Sequence, residues 1–245
     1  MNVLIKSATI LDDKSDFHNQ TQDILLENGF ITEIANSLKN PNKYPIISLE
    51  NLHVSSGWFD SSVSFGEPGF EERETLSNGL EVAAGSGFTD VALNSNTNPV
   101  IDSHSDISFV ISKSSNATTK LHPIGALTNE SKGIDLAELF DMKTAGSVAF
   151  GDYKKPIKNP NLLKIALQYA SNFNGVVHSF PHEAKVATKG VMNENITSTR
   201  LGLKGLPALA EELQIVRDLF ILEYTGGKLH IPTISTKKSV ELIRD

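Results

Sequence analysis

The chain of 245 residues is long enough to bury a full core and to form one large domain, or a large and a small one. Its net charge of −7, with no basic cluster able to track a phosphate backbone, argues against a nucleic-acid partner, and its lack of cysteine excludes disulfides, thiolate metal ligands and cysteine nucleophiles. No apolar run reaches the roughly 18 residues of a membrane-spanning helix and no basic, apolar leader opens the sequence, so a cytoplasmic protein without a membrane partner is expected.

In chain order, residues 2–10 read as a strand and Asp12 to Thr21 as a polar loop. Residues 22–34 read as a hairpin turning at Asn28-Gly29, because both residues tolerate the positive φ that a tight hairpin turn demands. The first ~50 residues are therefore expected to form a small antiparallel β module. From Val54 onward, short apolar runs alternate with amphipathic stretches. Strands are predicted over 54–65, 89–93, 107–112, 121–126, 147–150, 175–179 and 229–234. Helices are predicted over 72–86, 136–145, 161–172 and 207–224, with another starting at Ser239.

Strand–helix alternation of this kind predicts a parallel sheet, and the number of units favours a (β/α) TIM-type barrel over a doubly wound sheet. No Gly-x-Gly-x-x-Gly follows the first strand; Gly85-Ser86-Gly87 closes a helix instead. The expected organisation is an N-terminal β-sandwich-like module over residues 1–53 and a partial barrel over 54–245. A closed barrel of this type has eight strands, so strands one to about six are expected here, the remaining C-terminal part being missing.

Gly57-Trp58-Phe59-Asp60-Ser61-Ser62-Val63-Ser64-Phe65-Gly66-Glu67-Pro68-Gly69 resembles the strand-one signature of the dihydroorotase branch of the cyclic amidohydrolases. In that family two histidines stand where this chain has Ser62 and Ser64, and an arginine where it has Gly66. Residues i and i+2 of a strand share a face, so a His-x-His pair aims two imidazoles at one metal. The resemblance continues along the chain. Leu93 to Pro99 is similar to the family's Met-Pro-Asn-Thr-x-Pro, which places Asn96 at the asparagine that helps bind the substrate carboxylate. Ala145 to Asp152 resembles the run ending in a metal-bridging aspartate, and Val176-Val177-His178 the segment supplying a metal-binding histidine. The stretch from Gly190 to Asp218 carries the most specific likeness. Leu229 to Thr236 resembles the family's His-x-x-His-Val-Ser-Thr, with Thr233 where the ligating histidine stands.

By this resemblance Asp152 and His178 are relict metal positions, and Ser62, Ser64, Gly66 and Thr233 are lost ones. A neutral hydroxyl is a poor zinc ligand, and a catalytic zinc needs three protein ligands plus an open position. The loss of the arginine removes a bidentate carboxylate donor. The family's catalytic aspartate falls beyond Asp245, so no catalytic residue is assigned. No cofactor is expected, and zinc is the metal implied if any site survives. The implied function is that of a catalytically inactive dihydroorotase homologue of pyrimidine biosynthesis. It would act as a scaffold or regulatory subunit, with aspartate carbamoyltransferase or by self-association. The alternative is an active dihydroorotase or other cyclic amidohydrolase with a reduced metal site, so whether the chain is an enzyme stays open. His230, three residues from Thr233, is expected to face the opposite way. His182, beside Pro181, is expected in a loop.

Overall fold

Alternating burial along Val3–Leu11 (β1) makes it the centre of a five-stranded sheet in which it pairs antiparallel with Thr21–Glu27 (β2). That strand turns at Asn28-Gly29 into Phe30–Ala35 (β3), with φ of 53° and 84° at the two turn residues. The short strands Ile46–Ile47 (β4) and His53–Ser55 (β5) then join β1 in parallel, so the module is mixed rather than wholly antiparallel. Asp23 ties it together, accepting from Lys6 Nζ at 2.6 Å and from the backbone N–H groups of Ser7 and Leu38 at 2.9 Å each. Burial alone would raise this carboxyl, but those donors outweigh it and hold Asp23 below its ordinary value. The computed structural model describes residues 1–245 and separates into two compact units, Met1–Trp58 and Phe59–Asp245.

The second unit repeats strand then helix. Trp58–Val63 (β6) precedes Leu76–Gly85 (α1), Phe88–Leu93 (β7) and His104–Ser114 (α2). Lys120–Gly125 (β8), Leu139–Ala145 (α3), Ala149–Phe150 (β9) and Pro160–Ser171 (α4) follow. Val177–His178 (β10) leads to Ala184–Ala187 (α5), Met192–Asn193 (β11), Ile196–Leu201 (α6), Gly205–Leu206 (β12) and Leu209–Thr225 (α7). The chain closes with Leu229–His230 (β13) and Lys237–Arg244 (α8). Six strands form one sheet in the order β13-β10-β9-β8-β7-β6, and the pairs from β7 to β13 are parallel. The strand order follows the chain, as in a (β/α) barrel, and the sheet amounts to six of such a barrel's strands. No helix is long and apolar enough to cross a membrane.

Strand alternation distributes the core over the two faces of this sheet. Val91 and Leu93 of β7 join Leu80, Ile107, Met142, Phe150 and Leu163 in the large cluster between sheet and helices. Ala92 of the same strand joins Ile124 and Ala149 in a small cluster on the other face. Buried Glu67 pins the loop after β6 by accepting from the Leu76 N–H at 2.8 Å and pairing with Lys113.

Several predicted elements differ, the strands over 147–150 and 175–179 among them, which shorten to Ala149–Phe150 and Val177–His178. Residues 107–112 form the middle of α2 instead of a strand. Their β-branched content favours a strand locally. Ser103 and Asp106, however, make a reciprocal capping box, and Ile107 and Val110, one helical turn apart, bury together. The predicted strand over 54–65 is two strands, β5 and β6, and the one over 229–234 is reduced to Leu229–His230, with Pro232 withholding a ladder N–H. If the cap decides the form of residues 107–112, Ser103→Ala should destabilise the fold by about 1 kcal/mol, read as a lowered urea midpoint with unchanged slope.

Candidate functional site

The carboxyl ends of β6, β7, β9 and β10 and the loops after them gather most of the residues singled out by sequence. Ser62, Asp152, His178 and Thr233 line a common cavity, joined by Asn94 and Lys154. Its volume is ≈ 20 Å³, and about 10–15 Å³ suffices for one water.

Ser62 and Ser64 each meet an asparagine amide. Ser62 Oγ accepts from Asn94 Nδ2 at 3.0 Å, and the same amide donates to the Val63 carbonyl at 2.9 Å. Ser64 Oγ accepts from Asn96 Nδ2 at 2.8 Å. Asn96 therefore spends its donor inside the protein, and its Oδ1 is buried without a partner. At Gly66 a Cβ would overlap the carbonyl oxygen of Phe70 and come within 3.0 Å of that of Glu74. No side chain fits here while the turn from 66 to 74 keeps its present form.

The two retained positions are also engaged. Asp152 Oδ1 accepts from the N–H groups of Leu127 and Thr128 at 3.0 and 3.1 Å, and Oδ2 from Thr128 Oγ1 at 2.5 Å. Burial raises this carboxyl above its ordinary value despite those donors. The His178 ring packs at 4.5 Å from that of His230, its register partner on β13. Burial, reinforced by His230, pushes His178 down to about 4, so it is neutral near pH 7. His230 thus packs on His178 without lining the cavity that Thr233 borders. Its strand ends at residue 230, so alternation does not carry through to Thr233. His182 lies in the loop before α5, as expected.

Zinc, which the sequence resemblance implies, does not fit this donor set. No group of three or more His, Asp or Glu side chains comes together in a way that could hold an ion. Ser62 Oγ and Ser64 Oγ each already accept from an asparagine amide, and both oxygens of Asp152 accept from Leu127 or Thr128.

A model of the family described as dihydro-orotase-like matches residues 53–239. The chain belongs to this family. Curated relatives include the dihydroorotase of Geotalea daltonii, 39% identical over 246 residues that cover 100% of this chain and 58% of that protein. The dihydroorotase of Acetivibrio thermocellus is 40% identical over 244 residues, covering 99% of this chain and 57% of that protein. The chain thus spans a little over half the length of the curated relatives it matches. Among solved structures, an L-hydantoinase (dihydropyrimidinase) from Arthrobacter aurescens superposes with a TM-score of 0.78 at 16% identity, over 99% of this chain and 55% of that one. A D-hydantoinase does so at 0.72 and 16%, over 99% and 54%. At such identities these two speak for the fold, a family barrel of which the chain forms part.

Sequence reasoning reached Ser62, Asp152, His178 and Thr233 through family motifs but missed Asn94 and Lys154. Asn94 was legible in principle: it directly follows β7, at the carboxyl end where such a sheet places its site. Lys154 had no signal, since a lysine in a surface loop is ordinarily a solvated charge.

The His178 shift gives a pH dependence. A base whose folded value lies below its unfolded one stabilises the fold above the unfolded value and loses that contribution as pH falls through the folded value. Stability should therefore drop between about pH 6.5 and about pH 4 by roughly 3 kcal/mol from this residue. Urea unfolding across that window should show the drop in the native chain and a shallower one in His178→Gln.

Proposed function

We propose that the chain is a dihydroorotase-family protein of pyrimidine biosynthesis that does not turn over substrate. Its role is that of a scaffold or regulatory subunit, bound to aspartate carbamoyltransferase or to further copies of itself. The observation that carries this reading is the pair of asparagine-to-serine hydrogen bonds at Ser62 and Ser64, which occupy the two positions the family gives to ligating histidines. Without an acidified metal-bound water, ring-amide hydrolysis by the family route has no nucleophile at neutral pH. The loss of the arginine at Gly66 and the internal engagement of Asn96 remove the substrate-carboxylate grip as well.

Surface composition supports a partner. Phe30 and Leu49 in the first unit, and Phe220 and Tyr224 on α7 in the second, are each at least 66% exposed. Large apolar side chains left in water favour association.

The competing reading is a working cyclic amidohydrolase with a reduced metal site held by Asp152 and His178. What favours it is that both still border one cavity. What weighs against it is that both oxygens of Asp152 already accept from Leu127 and Thr128.

Protein purified with zinc present should contain far less than stoichiometric metal by elemental analysis. Expression should not restore growth to a dihydroorotase-deficient host, and aspartate carbamoyltransferase or a second copy of the chain should co-purify. Stoichiometric zinc lost in His178→Ala, together with restored growth, would replace this reading with the hydrolase.

A further inference from the structure

Helix α7 carries a second face besides the one it packs on the core. Its inner face buries Ala210, Gln214, Ile215 and Asp218. Leu209, Leu213, Val216, Phe220 and Tyr224 follow one another at spacings of four, three, four and four residues, which keeps them in one narrow stripe on the outer side. Leu209, Leu213, Phe220 and Tyr224 are between 45% and 79% exposed, and Val216 is half-buried. Single apolar side chains on a surface need no explanation, but a continuous row along a 17-residue helix does. This period is the one that two helices bury between them in a coiled-coil seam.

The stripe also divides charge. Glu212 and Glu223, three turns apart, flank it on one side, and Arg217 flanks it on the other. Lys164 of α4 stands on the Arg217 side: it borders a recess of ≈ 350 Å³ with Phe220, Tyr224 and Ile221, and Ile221 lies one turn beyond Arg217. Arg217 is held by Asp218, whereas Lys164, Glu212 and Glu223 join none of the ion pairs of the chain. Two copies could bury the stripe about a two-fold axis in two ways. An axis across the helices makes them antiparallel and sets like flank against like, acid facing acid. An axis along the helices makes them parallel and sets each acidic flank against a basic one, which is the complementary arrangement.

We propose that the outer face of α7 is a self-association surface on which two copies of the chain pair α7 with α7 in parallel. The apolar stripes are buried against each other, and Lys164 of each copy meets the partner's Glu223 at the level of Phe220 and Tyr224. This inference rests on the self-association reading of the proposed function and gives it a surface; it does not depend on the state of the metal positions.

The test is sedimentation of the full chain over a range of concentrations, which should show a monomer–dimer equilibrium. Phe220→Asp should weaken the dimer about thirtyfold or more. Lys164→Glu and Glu223→Lys should each weaken it about tenfold, and a chain carrying both should return to within about threefold of the native one. Unchanged far-UV circular dichroism and Tm will verify that these surface variants are folded. A dimer that Phe220→Asp leaves intact overturns this surface while self-association stands. A dimer lost in Phe220→Asp but not rescued by the double charge exchange overturns the parallel pairing. A chain that is monomeric at every concentration overturns the proposal; if it then binds aspartate carbamoyltransferase the scaffold reading survives, and if it binds neither that reading falls as well.

Discussion

Two asparagine amides after β7 donate to two serine oxygens on the β6 side of the sheet, and the chemistry of the barrel mouth follows from that placement. Asn94 and Asn96 follow β7 and are two residues apart, as are Ser62 and Ser64 at the end of β6, and each amide meets one hydroxyl. Each neutral hydrogen bond contributes only about 1 kcal/mol, but an unmade one at a sealed site would cost more. The remaining polar groups follow the same rule. Asp152 is buried and meets three donors, and buried Asp218 accepts from Ser179 Oγ at 2.6 Å and from Arg217. The unpartnered Asn96 Oδ1 is the exception at the mouth.

The scaffold beneath keeps the arrangement that a larger site requires. A sheet whose strand order follows the chain brings successive strand ends to one rim, so residues as far apart as 62, 94, 152, 178 and 233 share a single cavity. The sheet's helix-facing core is built from ordinary aliphatic side chains, while its other face carries only the small Ala92, Ile124 and Ala149 cluster. That imbalance leaves the rim's chemistry free to change while the main hydrophobic contribution to stability stays in place.

The fold was largely legible in the sequence because its strongest signals are local. Asn28-Gly29 announced its hairpin through backbone preference alone, and the strand–helix alternation announced the parallel sheet. The misreading at Ile107 came from a local preference overridden by a cap at Ser103 and burial one turn apart, both of which concern more than the residues themselves. The shortening of the last strand to Leu229–His230 turned on Pro232. The site was half legible. Motif positions singled out Ser62, Asp152, His178 and Thr233, but the partners of Ser62 and Asp152 are Asn94 and Thr128, which sequence separation hides. The His178–His230 stack had no sequence signal, because it depends on the register between two strands far apart in the chain.

The turn over Gly66 limits what its position can hold. The Gly66 N–H donates to the Glu74 carbonyl at 2.9 Å, and the Phe70 N–H to the Gly66 carbonyl at 2.9 Å, so the backbone has closed upon the space that a side chain would need. A side chain placed here would meet main chain rather than solvent, and the turn would have to open before any residue larger than glycine could stand there. Backbone packing alone thus dictates the residue at this point of the rim, whatever chemistry the rim performs.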